Sequence, residues 1–174
     1  MIVREASQQD IPTLAILAQE TYKATFGHTL TNEELTEAFK SRSEDYFYHI
    51  LNTDTILVVE DKNKLLGYIQ FGAVTYESVE STDNDIELNK IYIDKNYQGK
   101  GIGKVLMKSM FEHPRLDRIE NIYLDVFDEN KKAIGLYEKY GFKRIGKTPF
   151  KLDGKIVGYD LLMKRSKKSS KMDV

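Results

Sequence analysis

The 174-residue chain contains no cysteine and only three histidines, and it has no long apolar run. Without cysteine it can form no disulfide, no thiolate zinc site and no thiol nucleophile, and this composition fits a reducing compartment. The histidines (His28, His49 and His113) are far apart and show no HExxH spacing, so we expect no metal site. No stretch approaches the roughly 20 apolar residues of a membrane span, and no cationic start precedes an apolar run. We therefore expect a cytoplasmic protein without a membrane partner.

Tryptophan is absent and proline is scarce, with three residues, whereas hydrophobic residues make up 41% of the chain and charged residues 30%. This balance is typical of a soluble folded protein, and the length is typical of one domain. We predict a single domain over residues 1–163. Residues 164–174 contain five Lys/Arg and one Asp, and we expect them to form a basic, disordered tail rather than a nucleic-acid-binding arm.

Charge is unevenly distributed, although the net charge is only -1. Residues 1–89 carry six Lys/Arg against sixteen Asp/Glu, and residues 90–163 carry fifteen against ten. Two groups of acidic residues stand out in the first half: Glu33, Glu34, Glu37, Glu44 and Asp45 on predicted helices, and Glu77, Glu80, Asp83, Asp85 and Glu87 further on. An acidic groove would attract a polycation. The alternative is that these side chains form an ordinary solvated surface.

Local patterns predict three helices near the start of the chain and alternating strands and helices after them. The capping patterns Ser7-x-x-Asp10 and Thr31-x-x-Glu34 begin the first two helices. Further helices are predicted at 43–51, 103–111 and 130–140, and strands at 3–5, 55–60, 65–73, 86–93, 119–127, 143–147 and 155–163. Because hairpins alternate with strand–helix–strand units, the pattern predicts an α/β protein with a mixed sheet.

The segment from Gln98 to Gly103 (QGKGIG) lies between a predicted strand and a predicted helix. Small residues in that context let several main-chain N–H groups face one point, and the helix N-terminus adds positive potential. Lys100, Lys104 and Lys108 add charge nearby. The pattern predicts an anion site, although a glycine-rich turn can also merely connect two elements.

Two motifs in this chain resemble those of the GCN5-related N-acetyltransferases (GNAT). The run from Glu87 to Ile93 (ELNKIYI), followed by Gln98 to Gly103, is similar to the family's Q/R-x-x-G-x-G/A signature with its preceding strand. The run from Asn130 to Phe142 (NKKAIGLYEKYGF) is similar to its second signature. The resemblance covers roughly residues 2–163 and is greatest to the PaiA-type polyamine acetyltransferases. It implies a GNAT fold, with a mixed sheet of six to seven strands flanked by four to five helices.

The resemblance implies that acetyl-CoA is the co-substrate, with no metal. Its pyrophosphate would be bound by the loop residues Gln98, Gly99, Lys100, Gly101, Ile102, Gly103 and Lys104. Its pantetheine arm would pair with the backbone of Ile91, Tyr92 and Ile93, and the Ile91 N–H would face the acetyl carbonyl. Asn130, which the sequence also predicts to cap a helix, would contact the cofactor.

Two catalytic side chains are implied by the same resemblance. Glu87 would act as the general base that removes a proton from the acceptor amine, and Tyr137 would protonate the departing thiolate. Each has a structural alternative, because Glu87 could form a salt bridge and Tyr137 could be a core aromatic. Asp85 is the rival base.

The acceptor is the least determined part of the prediction. We expect an N-acetyltransferase that transfers acetyl to a primary amine by direct attack in a ternary complex, with a polyamine such as spermidine or spermine as acceptor. A protein N-terminal or lysine acetyltransferase is the alternative, and a non-catalytic CoA-binding regulator is a further one. We expect no nucleic-acid partner, and the oligomeric state, a homodimer included, is left open.

Overall fold

A computed structural model describes residues 1–167 of the chain. It contains five α-helices: α1 (Ile11–Phe26), α2 (Asn32–Lys40), α3 (Glu44–Ile50), α4 (Ile102–Phe111) and α5 (Lys131–Lys139). It contains seven strands: β1 (Ile2–Glu5), β2 (Thr55–Asp61), β3 (Lys64–Gly72), β4 (Asp85–Ile93), β5 (Asn121–Val126), β6 (Lys143–Leu152) and β7 (Lys155–Ser166). The predicted fold class is confirmed, with seven strands and five helices.

The strands form one mixed sheet in the order β1-β2-β3-β4-β5-β7-β6. Strands β4 and β5 are parallel, whereas β1 with β2, β2 with β3, β5 with β7 and β6 with β7 are antiparallel. The β4–β5 register covers three pairs and ends at Glu87 and Tyr123. Strand β4 itself continues to Ile93, so its last six residues lie beyond that register.

Short-range signals explain where several elements begin and turn. The Thr31 hydroxyl accepts from the Glu34 N–H (3.2 Å), and the Glu34 carboxylate accepts from the Thr31 N–H (2.8 Å), which is the predicted capping box at the start of α2. The β2–β3 turn places Lys62 and Asn63 at positive φ. Such a two-residue turn matches the twist of the strands that it joins.

The chain divides into two compact units. The first comprises Met1–Phe71 and Lys90–Leu116, and the second comprises Gly72–Asn89 together with the residues from Asp117 onwards. The first unit has a core in which α1 and α3 pack on β2 and β3, with Leu14, Phe47, Val58 and Tyr68 completely buried. The prediction of a single domain over residues 1–163 stays a prediction.

The observed boundaries differ most from the predicted ones at three places. The Ser7-x-x-Asp10 pattern opens a short 3-10 turn (Gln8–Asp10) before α1 begins at Ile11. Strand β6 extends to Leu152 rather than 147, and β7 extends to Ser166 rather than 163. The predicted disordered tail is therefore wrong for residues 164–166, which pair with β5. Residues 168–174 of that tail lie outside the described residues.

Two kinds of feature are absent from residues 1–167. None of their helices is long and apolar enough to cross a membrane. Over the same residues, no cluster of His, Asp and Glu side chains could hold a metal ion.

Candidate active site

The glycine-rich loop in the first unit has an open backbone. Gly99 and Gly101 adopt positive φ angles of 76° and 84°, a region that residues with a side chain rarely occupy. A Cβ atom added at either position would meet nothing within 4 Å. These glycines therefore let the loop curl while leaving space beside its main chain for a ligand.

Helix α4 starts directly from this loop, with Gly101 at its N-cap. The N–H groups in the first turn of a helix have no acceptor within it, and they create positive potential. The Lys104 N–H is an exception, because it donates to the Gly101 carbonyl (3.0 Å). The N–H groups of Ile102 and Gly103 are thus better placed for an anion than that of Lys104, whose exposed side chain still contributes charge.

Two side chains hold the loop to the end of β4. Gln98 Nε2 donates to the Ile93 carbonyl (3.2 Å). Asp94 accepts from the Asn96 N–H (2.9 Å) and pairs with Lys64 (3.0 Å). These contacts fix the start of the loop relative to the strand. Lys100, with its ammonium 4.8 Å from the centroid of the Tyr97 ring, remains exposed.

The predicted pantetheine strand, Ile91 to Ile93, is half-buried. Strand β3 approaches it closely, because a Cβ at Gly67 would lie 2.7 Å from the Tyr92 carbonyl oxygen. The Tyr92 side chain has a structural role, since its hydroxyl accepts from Arg42 (2.9 Å) and its ring packs on Tyr68. Backbone groups, rather than side chains, are therefore what this segment offers a ligand.

Glu87, in the second unit, is a buried carboxylate that is 5% exposed. One oxygen, Oε2, accepts from both the N–H and the hydroxyl of Thr75 (2.8 Å each). The other, Oε1, accepts from Asn89 Nδ2 (2.7 Å). Burial raises the pKa of Glu87, the Thr75 hydrogen bonds act to lower it, and the charge of Asp125 raises it further. Glu87 forms no salt bridge among residues 1–167, and a carboxyl with a raised pKa suits general-base chemistry.

Asp85 differs from Glu87 in that its pKa is lowered. Its carboxylate accepts from Asn121 Nδ2 (2.6 Å) and from the Thr82 N–H (2.8 Å). Burial acts to raise the pKa of Asp85, but these hydrogen bonds outweigh it and hold the pKa below its usual range. Asp85 joins the loop to β5, and its bonds stabilise the charged form. Both features indicate a structural residue rather than a base.

Asn130 and Tyr137 lie on α5, also in the second unit. Asn130 is the N-cap, and its Oδ1 accepts from the Ala133 N–H (3.1 Å), which confirms the predicted cap. Tyr137 is 7% exposed, and its ring packs edge-on against Phe142 with the centroids 5.9 Å apart. Gly141, at a φ of 83°, ends the helix as predicted and turns the chain towards Phe142. Tyr137 is therefore at least in part a core residue.

The acidic residues of the first half of the chain differ in location and in exposure to solvent. Those on α2 and α3 belong to the first unit, and those at 77–87 belong to the second. Glu80 and Asp83 are exposed, whereas Glu77 pairs with Lys151 (3.4 Å). Because Glu87 is buried and Asp85 is anchored, only three of the five later acids are exposed to solvent.

Sequence reasoning missed the two partners of Glu87. Thr75 lies twelve residues earlier, and nothing in the local pattern connects it to Glu87. Asn89 could have been found, because alternate residues of a strand share a face and Asn89 is two positions after Glu87.

A family model described as "Acetyltransferase (GNAT) family" matches residues 21–142. The chain belongs to the GNAT family. This confirms the resemblance that the two motifs indicated.

Curated relatives include polyamine acetyltransferases. The probable spermine N(1)-acetyltransferase of Bacillus subtilis subsp. natto (strain BEST195) is 34% identical over 87 residues, which are 49% of this chain and 57% of that protein. The match thus spans little more than half the length of that relative. The spermidine N(1)-acetyltransferase of Vibrio cholerae serotype O1 (strain ATCC 39315 / El Tor Inaba N16961) is 32% identical over 145 residues, 76% of this chain and 80% of that protein.

A solved structure shares the fold. The PaiA N-acetyltransferase from Thermoplasma acidophilum, crystallised in complex with coenzyme A, superimposes with a TM-score of 0.71 at 21% identity. The match covers 95% of this chain and 98% of that one. It confirms the GNAT fold that the motifs implied.

Proposed function

We propose that this protein is an acetyl-CoA-dependent N-acetyltransferase that transfers an acetyl group to a primary amine, with a polyamine such as spermidine or spermine as acceptor. The observation that carries the proposal is Glu87, a buried carboxyl with a raised pKa. It lies on the strand that leads into the open glycine-rich loop. A base and an anion-binding loop joined by one strand suit amine acetylation.

The residues of the loop fit a pyrophosphate. Gly99 and Gly101 leave the main chain accessible, and the N-terminus of α4 supplies N–H groups and positive potential. Gln98, Lys100, Ile102, Gly103 and Lys104 complete the proposed set. Bound acetyl-CoA would supply the acetyl group as a thioester.

The backbone of Ile91, Tyr92 and Ile93 would hold the pantetheine arm by strand-like hydrogen bonds. These residues lie beyond the β4–β5 register, so that ladder does not use their backbone groups. The Ile91 N–H would donate to the acetyl carbonyl oxygen, where negative charge develops during attack. Such donors typically contribute on the order of 100-fold in rate.

Glu87 would take a proton from the acceptor, because an alkyl ammonium has a pKa near 10 and cannot attack until it is deprotonated. The neutral nitrogen would then attack the carbonyl carbon, the bond from that carbon to sulfur would break, and the nitrogen would lose its second proton to solvent as the amide forms. Tyr137 would give a proton to the leaving sulfur, and the Asn130 amide would contact the cofactor. Since a thiol has a pKa near 8.5, the proton that Tyr137 would supply to the leaving sulfur contributes only modestly to the rate.

A thiol-release assay with acetyl-CoA tests the proposal directly. The panel of acceptors contains spermidine, spermine, a diamine, a monoamine and a basic peptide, with no acceptor as the blank. We expect thiol release with the polyamines above all. Faster release with the peptide would favour a protein acetyltransferase. CoA binding without release on any acceptor would favour a non-catalytic regulator.

A further inference from the structure

Asn89 carries a hydrogen-bond acceptor that the protein leaves unused. Its side-chain oxygen, Oδ1, is buried and accepts from none of residues 1–167. Buried polar groups almost always have a partner, so an unsatisfied oxygen needs an explanation. In this chain the orphaned oxygen belongs to the residue that also donates to the proposed base, Glu87.

The orientation of the Asn89 amide follows from the charge on Glu87. Asn89 Nδ2 is 2.7 Å from Glu87 Oε1. If the amide were turned over, its oxygen would face the carboxylate, and two acceptors would be in contact with no proton between them. The ionised form of Glu87 therefore fixes Nδ2 towards itself and directs Oδ1 to another donor.

Glu87 Oε1 has spare capacity next to that oxygen. A carboxylate offers about four lone-pair sites, two on each oxygen. Both sites on Oε2 are occupied by Thr75, whereas Oε1 accepts only from Asn89 among residues 1–167. Because Oδ1 and Nδ2 belong to the same amide group and Nδ2 is hydrogen-bonded to Oε1, the unused acceptor sites on Oε1 and Oδ1 belong to two neighbouring side-chain groups.

We infer that Glu87 Oε1 and Asn89 Oδ1 together form a binding site for the ammonium group of the acceptor. The inference rests on the proposed function and adds Asn89 as a residue that contacts the substrate. A protonated primary amine has three N–H donors and no acceptor, so it complements two adjacent acceptors. A hydroxyl acceptor offers one donor, and it would leave one of the two oxygens unsatisfied.

Asn89 would keep this contact after the proton has moved. When one N–H proton passes to Glu87, the neutral amine retains two N–H bonds. One of them can remain on Oδ1 while the lone pair turns towards the acetyl carbon. Asn89 therefore selects amines and orients the nitrogen, in addition to supporting the base.

The test separates contact with the substrate from support of Glu87. Asn89→Leu removes the unused oxygen and one donor to Glu87. Thr75→Val is the matched control, because it also removes one side-chain donor to Glu87 but leaves Asn89 intact. Both variants should move the acid limb of the kcat/KM profile to higher pH.

Only Asn89→Leu should raise KM for spermidine at the pH plateau, by about 10-fold or more, since hydrogen bonds to charged groups are among the strong ones. KM for acetyl-CoA should not change in either variant. Equal amine KM values in the two variants and the wild type would overturn the inference, and would mean that Oδ1 binds only water. A wild-type protein that acetylates no amine would instead overturn the proposed function, and the inference with it.

A second variant keeps the test valid if Asn89→Leu does not fold, which thermal unfolding will reveal. Asn89→Asp retains an acceptor oxygen but loses the donor to Glu87. It should keep the wild-type KM for spermidine or lower it, while its pH profile shifts. A 10-fold rise in KM with this variant would contradict the assignment of Oδ1 to the ammonium.

Discussion

At the scale of single residues, two carboxyls on β4 have opposite environments although they are two positions apart. Glu87 is buried, and its pKa is raised, whereas hydrogen bonds hold the pKa of Asp85 below its usual range. A carboxyl with a raised pKa holds a proton more readily than one with a lowered pKa, as a general base requires. This difference favours Glu87 as the base, and it can be tested by exchanging one residue at a time.

We predict that Glu87→Gln lowers kcat/KM by about 100-fold or more, the usual range for loss of a general base. In the wild type, kcat/KM should fall as the pH drops through the raised pKa of Glu87, and the variant should lose this acid limb. Asp85→Asn is the control and should retain the limb. Rate profiles between pH 5 and 9 measure both, and loss of the limb in Asp85→Asn alone would make Asp85 the base.

Asp160 on β7 is a second carboxyl with a displaced pKa. Burial, together with the charges of Asp125 and Asp128, raises the pKa of Asp160 from 3.8 to about 6. None of residues 1–167 forms a salt bridge with it. Because its neutral form is favoured in the folded state, the protein loses stability as pH rises from about 4 to about 6.

We therefore predict that Asp160→Asn stabilises the fold at pH 7.5 by about 2 kcal/mol, less than the full pKa difference implies because solvent screens a partly exposed group, and that this gain disappears below about pH 4. Urea unfolding at both pH values measures the free energies. Asp83→Asn, which changes an exposed carboxylate, serves as the control. A gain that is the same at pH 7.5 and pH 4 would show that charge at position 160 is not its cause.

At the scale of elements, the features that the sequence predicts depend on local signals. Those that it does not predict depend on contacts between residues that are far apart in the sequence. The helix caps at Thr31 and Asn130 and the stop at Gly141 involve neighbours within a few residues, so the sequence predicts them. The length of β6 was missed because Gly146 and Pro149 interrupt the pattern. Strand β6 lies at the edge of the sheet, where prolines and bulges are tolerated better than in a central strand.

In the candidate site too, the sequence predicts the local features but not the long-range contacts. The loop from Gln98 to Gly103 and the cap at Asn130 are contiguous motifs, and the structure places the loop directly before a helix and Asn130 at a helix N-cap, as the sequence predicts. The environment of Glu87 depends on Thr75, which lies in the loop between β3 and β4 and contacts β4 through that loop's return. The burial and the pKa of a residue depend on such long-range contacts. The sequence therefore predicts that Glu87 is a candidate base but does not predict its burial or its pKa.

The start of α4 yields a prediction for the cofactor. Gly101→Glu should cost roughly 1 to 2 kcal/mol of stability, because a left-handed φ is strained for any residue with a side chain. It should also abolish CoA binding in calorimetry, since a carboxylate would occupy the open space beside the loop. Gly154→Glu is the matched control: Gly154 has a φ of 72° and is equally open, but it lies in the β6–β7 turn. Unchanged CoA affinity in Gly101→Glu would remove the loop from the phosphate site.

At the scale of the whole molecule, the excess of acids in residues 1–89 is the feature that bears on the acceptor. Each exposed ion pair contributes only about 0.2 to 1 kcal/mol, so preference for a polycation must come from several charges together. Such attraction is long-ranged and screened by salt. Charge, unlike the hydrogen bonds at Glu87, can therefore be tested without altering any contact at the proposed base.

We predict that kcat/KM for spermine exceeds that for a monoamine of similar length, and that it falls as salt rises to about 0.3 M, where screening shortens the reach of surface charges. Replacing Glu77, Glu80 and Asp83 by their amides should raise KM for spermine and leave KM for acetyl-CoA unchanged. The control replaces Glu112, Glu120 and Glu129, which are also exposed, so that the net charge changes by the same amount. If both triple variants raise KM for spermine equally, attraction depends on net charge alone and not on the loop at 77–83. If monoamines react as well as spermine and salt has no effect, the acceptor is not a polyamine, because no arrangement of acidic side chains could attract several ammonium groups and remain insensitive to salt.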